Sequence, residues 1–84
     1  YEAARSSAVA TYRSAEADLA TAKAELAQSE LELRRVVELF QRQIVGEADR
    51  DAARTAREVR LAQAAAAEHR IENARAAVRR AEED

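Results

Sequence analysis

The stretch FQRQIVGEADRDAAR, Phe40 to Arg54, holds the single glycine of an 84-residue chain that contains no proline. The sequence on both sides reads as helix without a break. Gly46 is therefore either a flaw in one long helix or part of a turn between two. The charges around it decide. Arg34, Arg35 and Arg42 close the first half, where the carbonyl end of a helix favours cations. Glu47, Asp49 and Asp51 open the second half, where the amide end favours anions. A continuous helix has no reason to segregate charge in this way. Gly46 is acceptable as an N-cap, and Asp49 three residues later is a shortened echo of a capping box. The expected turn is 43–46, with helix 1 over about 2–42 and helix 2 over about 47–83.

Outward from the turn, the first half carries a heptad repeat. Tyr12, Leu19, Leu26, Leu33 and Phe40 recur every seven residues. Small or β-branched residues stand three positions on, at Ala15, Ala22, Ser29 and Val36, and Ala8 begins the same row. Large residues at one seam position and small ones at the other let two helices approach closely. The second half repeats the theme with less bulk, through Ala52, Ala56, Val59, Gln63, Ala67, Ile71, Ala74, Val78 and Ala81. Three successive steps of four between Val59 and Ile71 predict a drift from the strict heptad and a local unwinding of the supercoil. The expected seam thus includes Tyr12, Leu19, Leu26, Leu33, Val36, Phe40, Val59, Ile71 and Val78. Neither half is expected to be stable alone, because helices in water depend mainly on tertiary burial. The fold class that follows is all-α, a single antiparallel two-helix coiled-coil hairpin. Two helices of roughly 35–40 residues make it about 55–60 Å long at 1.5 Å per residue.

Composition agrees and excludes several functions. Aromatic residues are 4 % of the chain, and alanine supplies much of the 48 % hydrophobic fraction, so no thick globular core is available. A charged fraction of 36 %, rich in Glu and Arg, is that of a long helix or coiled coil. The net charge is −2, from 14 basic and 16 acidic residues finely interleaved. That balance argues against nucleic acid and against an anionic membrane surface, both of which favour a basic excess. No apolar run approaches 20 residues, so this segment does not insert into a membrane. No signal-peptide pattern begins at Tyr1. Glu82, Glu83 and Asp84 place like charge at a helix C-terminus, which leads to the expectation that the chain is a segment of something larger.

The residues across the bend carry a resemblance. An Ala/Glu/Arg-rich hairpin opening with YEAA, with RVVELFQRQIVGEADRDAARTA across its bend, resembles the α-helical hairpin of periplasmic adaptor proteins. These membrane fusion proteins form the HlyD/RND-adaptor superfamily of tripartite efflux pumps and type I secretion systems. Their tip motif is an Arg, a Leu four residues later and a Ser seven beyond that, usually after an apolar residue. Arg35 matches the Arg, Leu39 the Leu and Val45 the apolar residue, while Gly46 stands where Ser is usual. Asp51 and Ala53 fit the D-x-A that follows. The resemblance implies a hairpin inserted in a lipoyl-like β domain, with a tip that docks on a TolC-like outer-membrane channel. It implies a parent anchored to the inner membrane, in the periplasm of a Gram-negative bacterium, with an inner-membrane transporter as second partner. Neighbouring adaptor hairpins, six in the assembly, are the third. The expected partner-binding residues at the tip are Arg35, Leu39, Ile44, Val45 and Gly46. Ile44 and Val45 add apolar surface that a free tip does not need.

Plainer readings stand beside these. Arg35 alone reads as a solvated helix-end arginine, Leu39 as a cover for Phe40, and Gly46 as a turn residue. A generic structural coiled-coil rod or dimerisation module is the alternative function. His69 is the only histidine, and its one helical neighbour of ligand type, Glu72, does not complete a metal site. The spacing of Glu47, Asp49 and Asp51 lacks the glycine and closing glutamate of an EF-hand. No nucleophile has a paired base and no Gly-rich phosphate loop exists. The chain is not expected to be an enzyme, nor to hold a metal or cofactor.

Overall fold

A computed structural model describes residues 2–83; Tyr1, and with it the first residue of YEAA, and Asp84 of the acidic end lie outside the described residues. Helix α1 runs over Glu2–Gln41 and helix α2 over Glu47–Glu83. They lie side by side as an antiparallel hairpin of 62 × 13 × 12 Å. A continuous rod would need helix through residues 42–46, and there the chain reverses instead.

The seam is thin and made largely of alanine. Ala15, Ala22, Val36, Ala64, Ala67 and Ala74 are the buried residues, and Ala67 has no exposure at all. Leu19 and Leu26 pack against the cluster of Ala22, Ala64 and Ala67. A leucine from α1 meeting alanines from α2 brings the two backbones close, and tight packing there replaces the bulk a globular core would supply. Tyr12, Leu33 and Phe40 on α1, and Ile71 and Val78 on α2, are half-buried along the same line. Ser29 also faces the seam, and its hydroxyl donates to the Leu26 carbonyl at 2.8 Å, so its polar atom is satisfied within its own helix.

In the distal half of α2 the structure corrects the expected seam. The expected seam positions Ala52, Ala56, Val59 and Gln63 are all exposed, Val59 by 49 %, and the expected drift between Val59 and Ile71 does not occur. Residues of reduced exposure instead follow an unbroken heptad through Arg50, Ala53, Arg57, Arg60, Ala64, Ala67, Ile71, Ala74, Val78 and Ala81. The α1 repeat has the same strict period, and two helices can mesh along their whole length only if both keep it. Apolar character led the sequence reading to Val59, but packing register overrode it. Arg50, Arg57 and Arg60 fill the inward positions because a long aliphatic stem can lie in the seam while its charged head turns to the edge.

The heads of Arg57 and Arg60 find acids across the hairpin. Arg57 reaches Glu30 at 3.4 Å and Arg60 reaches Glu25 at 3.5 Å. Lys23 faces Glu68 at 4.0 Å and Arg5 faces Glu82 at 3.7 Å. Each pair is substantially exposed and contributes about 0–1 kcal/mol. Their joint value is in register: as the α1 number rises the α2 partner's falls, a pattern only the antiparallel arrangement satisfies.

Candidate functional site

The tip is built from the end of α1. The Gln43 amide donates to the Phe40 carbonyl and the Ile44 amide to the Leu39 carbonyl, both at 2.9 Å. Gln43 between them has φ 62°. This is the Schellman arrangement, which satisfies carbonyls that a helix end would otherwise leave unpaired. The sequence reading put the turn's conformational demand on Gly46, whereas the left-handed residue is Gln43 and Gly46 has no positive φ. Gly46 acts as the N-cap of α2 through its backbone, its carbonyl accepting the Arg50 amide at 3.3 Å. A Cβ placed on Gly46 would meet nothing within 4 Å. The Ser usual at this position would therefore fit without displacement.

Helix-end charges are arranged less simply than their order suggested. The last turn of α1 contains no basic residue, and Arg42 lies just beyond it, 3.9 Å from Glu38. The first turn of α2 carries Glu47 and Asp49, as an amide end favours, while Asp51 lies past that turn beside Arg50.

The sequence-selected tip residues fall into two groups. Leu39, Ile44 and Val45 belong to the turn: Leu39 and Val45 are half-covered, and Ile44 is 61 % exposed at the apex. Arg35 stands lower on α1, one helical turn before Leu39 and on the same face, since residues four apart are neighbours on a helix. Its guanidinium holds Glu32 in a fork, Nη2 to Oε1 at 2.6 Å and Nε to Oε2 at 3.1 Å. The hydrogen bonds from Arg35 hold the Glu32 carboxyl below its ordinary range, and Glu32 raises Arg35 in return. Arg35 is thus exposed, with two of its five N–H donors engaged by its own helix and the rest open to a partner.

Sequence reasoning missed Arg50. Its Cζ lies 4.6 Å from the centre of the Phe40 ring, and its side chain is 26 % exposed. Stepping back by sevens from Val78, through Ile71, Ala64 and Arg57, arrives at Arg50, so the signal was present in the period but hidden by the residue type. Among the described residues there is no group of His, Cys, Asp and Glu suited to a metal, and no helix is long and apolar enough to cross a membrane. His69 is exposed.

Comparison with known families fits this geometry. The family described as "RND MFP, alpha-helical hairpin domain" matches residues 11–84, most of both helices and the whole tip. The chain belongs to the α-helical hairpin domain of RND membrane fusion proteins. No curated protein and no solved structure matches the chain significantly. Membrane fusion proteins of this family are periplasmic adaptors, and their hairpin is a structural, non-catalytic element of efflux transport. In their assemblies the adaptors interact with an outer-membrane channel and an inner-membrane transporter. The first residues of α1 precede the matched region.

Proposed function

We propose that this membrane fusion protein hairpin docks through its tip on a TolC-like outer-membrane channel, within a tripartite efflux or secretion transporter. The chain is then the distal arm of a larger adaptor that lies in the periplasm of a Gram-negative bacterium and is anchored to the inner membrane. The observation that supports this best is the apex itself. A closed, hydrogen-bonded turn projects Ile44 into solvent beside Leu39 and Val45, which gathers apolar surface at the end of the hairpin, whereas exposed Leu31, Val59 and Leu61 lie along its sides. A partner built of helical hairpins offers the complementary surface, because two coiled coils meeting tip to tip continue each other's seams.

Roles follow from position. Leu39, Ile44 and Val45 supply apolar contact, and Gly46 lets a partner backbone approach where no side chain intervenes. Arg35 supplies the polar contact at the edge, exchanging or sharing its fork with Glu32 for an acceptor of the partner. Neighbouring hairpins pack alongside in the assembled adaptor ring, six in number. Site-specific crosslinking tests the docking. A cysteine or photoreactive residue at Leu39 in the intact adaptor should capture the channel protein, and the same probe at exposed Ala24 should not. Equal capture at both positions would remove the tip from the interface.

A further inference from the structure

Three arginines occupy inward heptad positions of α2, and one of them differs in what it holds. Arg57 and Arg60 end on carboxylates of α1. Arg50 ends on an aromatic ring of α1, with its guanidinium carbon 4.6 Å from the Phe40 centroid. Its Nε and Nη2 both donate to Oδ1 of Asp51, at 3.2 and 3.1 Å, so the next residue of its own helix fixes the guanidinium's orientation. The backbone binds the same two residues to the turn. The Phe40 carbonyl accepts the Gln43 amide and the Arg50 amide donates to the Gly46 carbonyl, and by burial Phe40 is the last inward residue of α1 and Arg50 the first of α2. Directly beneath the turn, then, the contact of Arg50 with Phe40 spans the hairpin.

An aliphatic residue at position 50 would have packed against Phe40 by area alone, with no preferred angle. A guanidinium over a ring has a preferred face and distance. From this we infer that Arg50 is a positioning residue of the tip: lying over Phe40, it sets the separation and roll of the two helices behind the turn. Through that it sets how Leu39, Ile44 and Val45 are presented. Its hold on the turn stands independently of any partner, and its effect on docking rests on the reading of the tip given above.

Amide hydrogen exchange followed by NMR on this chain separates positioning from bulk stability. Arg50→Ala should speed exchange at Gln43 and Ile44 by about tenfold, the loss of one aromatic–cation contact, while residues 64–74 keep their rates. Arg50→Lys should restore most of the protection, since an ammonium can also lie on the ring. Phe40→Leu should reproduce the loss, and adding Arg50→Ala to it should change nothing more. Unchanged exchange at Gln43 and Ile44 in Arg50→Ala would overturn the inference, as would faster exchange along both helices alike. The Leu39 crosslink in the intact adaptor supplies the second measurement. Capture should fall several-fold in Arg50→Ala and return in Arg50→Lys; undiminished capture in Arg50→Ala overturns the positioning role. If the unsubstituted adaptor captures no channel while exchange behaves as expected, the docking reading fails and the hold of Arg50 on the turn remains.

Discussion

The amide of Ile44 donates to the carbonyl of Leu39 at 2.9 Å, and the bond can close only because Gln43 between them adopts φ 62°. A residue with a Cβ in that region carries steric strain that glycine does not. Gln43→Gly should therefore stabilise the hairpin by about 0.5–1 kcal/mol, part of the relief being offset by the freer unfolded chain. Thermal unfolding followed by circular dichroism should show a rise of about 2–6 °C. A β-branched residue at the same position, Gln43→Val, should lower the midpoint instead.

Gly46 stands at an N-cap without a side-chain acceptor, and the space a Cβ would occupy is empty. Gly46→Ser should add a hydroxyl that accepts an amide of the first turn of α2, a gain of a few tenths of a kcal/mol. Amide chemical shifts should move only near residues 43–50. Widespread shifts would show that the turn depends on glycine in a way its backbone angles do not indicate.

The heptad through Arg57 and Arg60 separates two valine- or leucine-sized deletions sharply. Leu19 packs on the Ala22, Ala64 and Ala67 cluster, so Leu19→Ala should cost about 1–2 kcal/mol, less than a fully buried leucine. Val59 faces solvent, and Val59→Ala should lie within about 0.5 kcal/mol of zero. Ala67→Leu should also destabilise, by about 1–3 kcal/mol, because nothing around a fully covered alanine can yield without parting the helices. Denaturant midpoints of the three variants check the register in one experiment.

Acid should loosen the tip side of α1. Glu32 in the folded chain sits below its ordinary value because Arg35 donates to it. A depressed carboxyl contributes stability that is complete above the ordinary value of about 4.3 and is lost as pH falls through the folded value. Helicity measured from pH 6 downward should decline over that acid window, and Glu32→Gln should flatten part of the decline. The effect is small, since both groups are exposed and solvent screens them.

The architecture was legible in the sequence because the strongest signals in it agree. The seven-residue recurrence from Tyr12 to Phe40 specifies a helical seam, the glycine and the acidic residues after the bend specify where a second helix starts, and helix periodicity leaves little freedom once one seam is set. What could not be read was which residues of α2 face inward where that face is not apolar. A valine at 59 looks more like a seam residue than an arginine at 57, and only the partner helix makes the stem of Arg57 the better filler. The tip was partly legible. Leu39 and Val45 were selected by their match to the adaptor tip motif, and Ile44 with Val45 by apolar character at a turn, but the strained position fell on Gln43 because a six-residue helix cap, once closed, dictates φ whatever residue is there. The partnership of Arg50 with Phe40 was invisible for the same reason as Arg57: residue type suggested solvent, while register placed it on a ring.

The ion pair between Arg5 and Glu82 marks one end of a 62 Å body and Ile44 stands at the other. A slender body held at one end is a lever. A rotation of a few degrees about the Arg5–Glu82 end sweeps Ile44 through several ångströms, more than the width of a single side-chain contact. If the tip docks as proposed, small adjustments at the base would be enough to bring the apex into reach of a partner or carry it away.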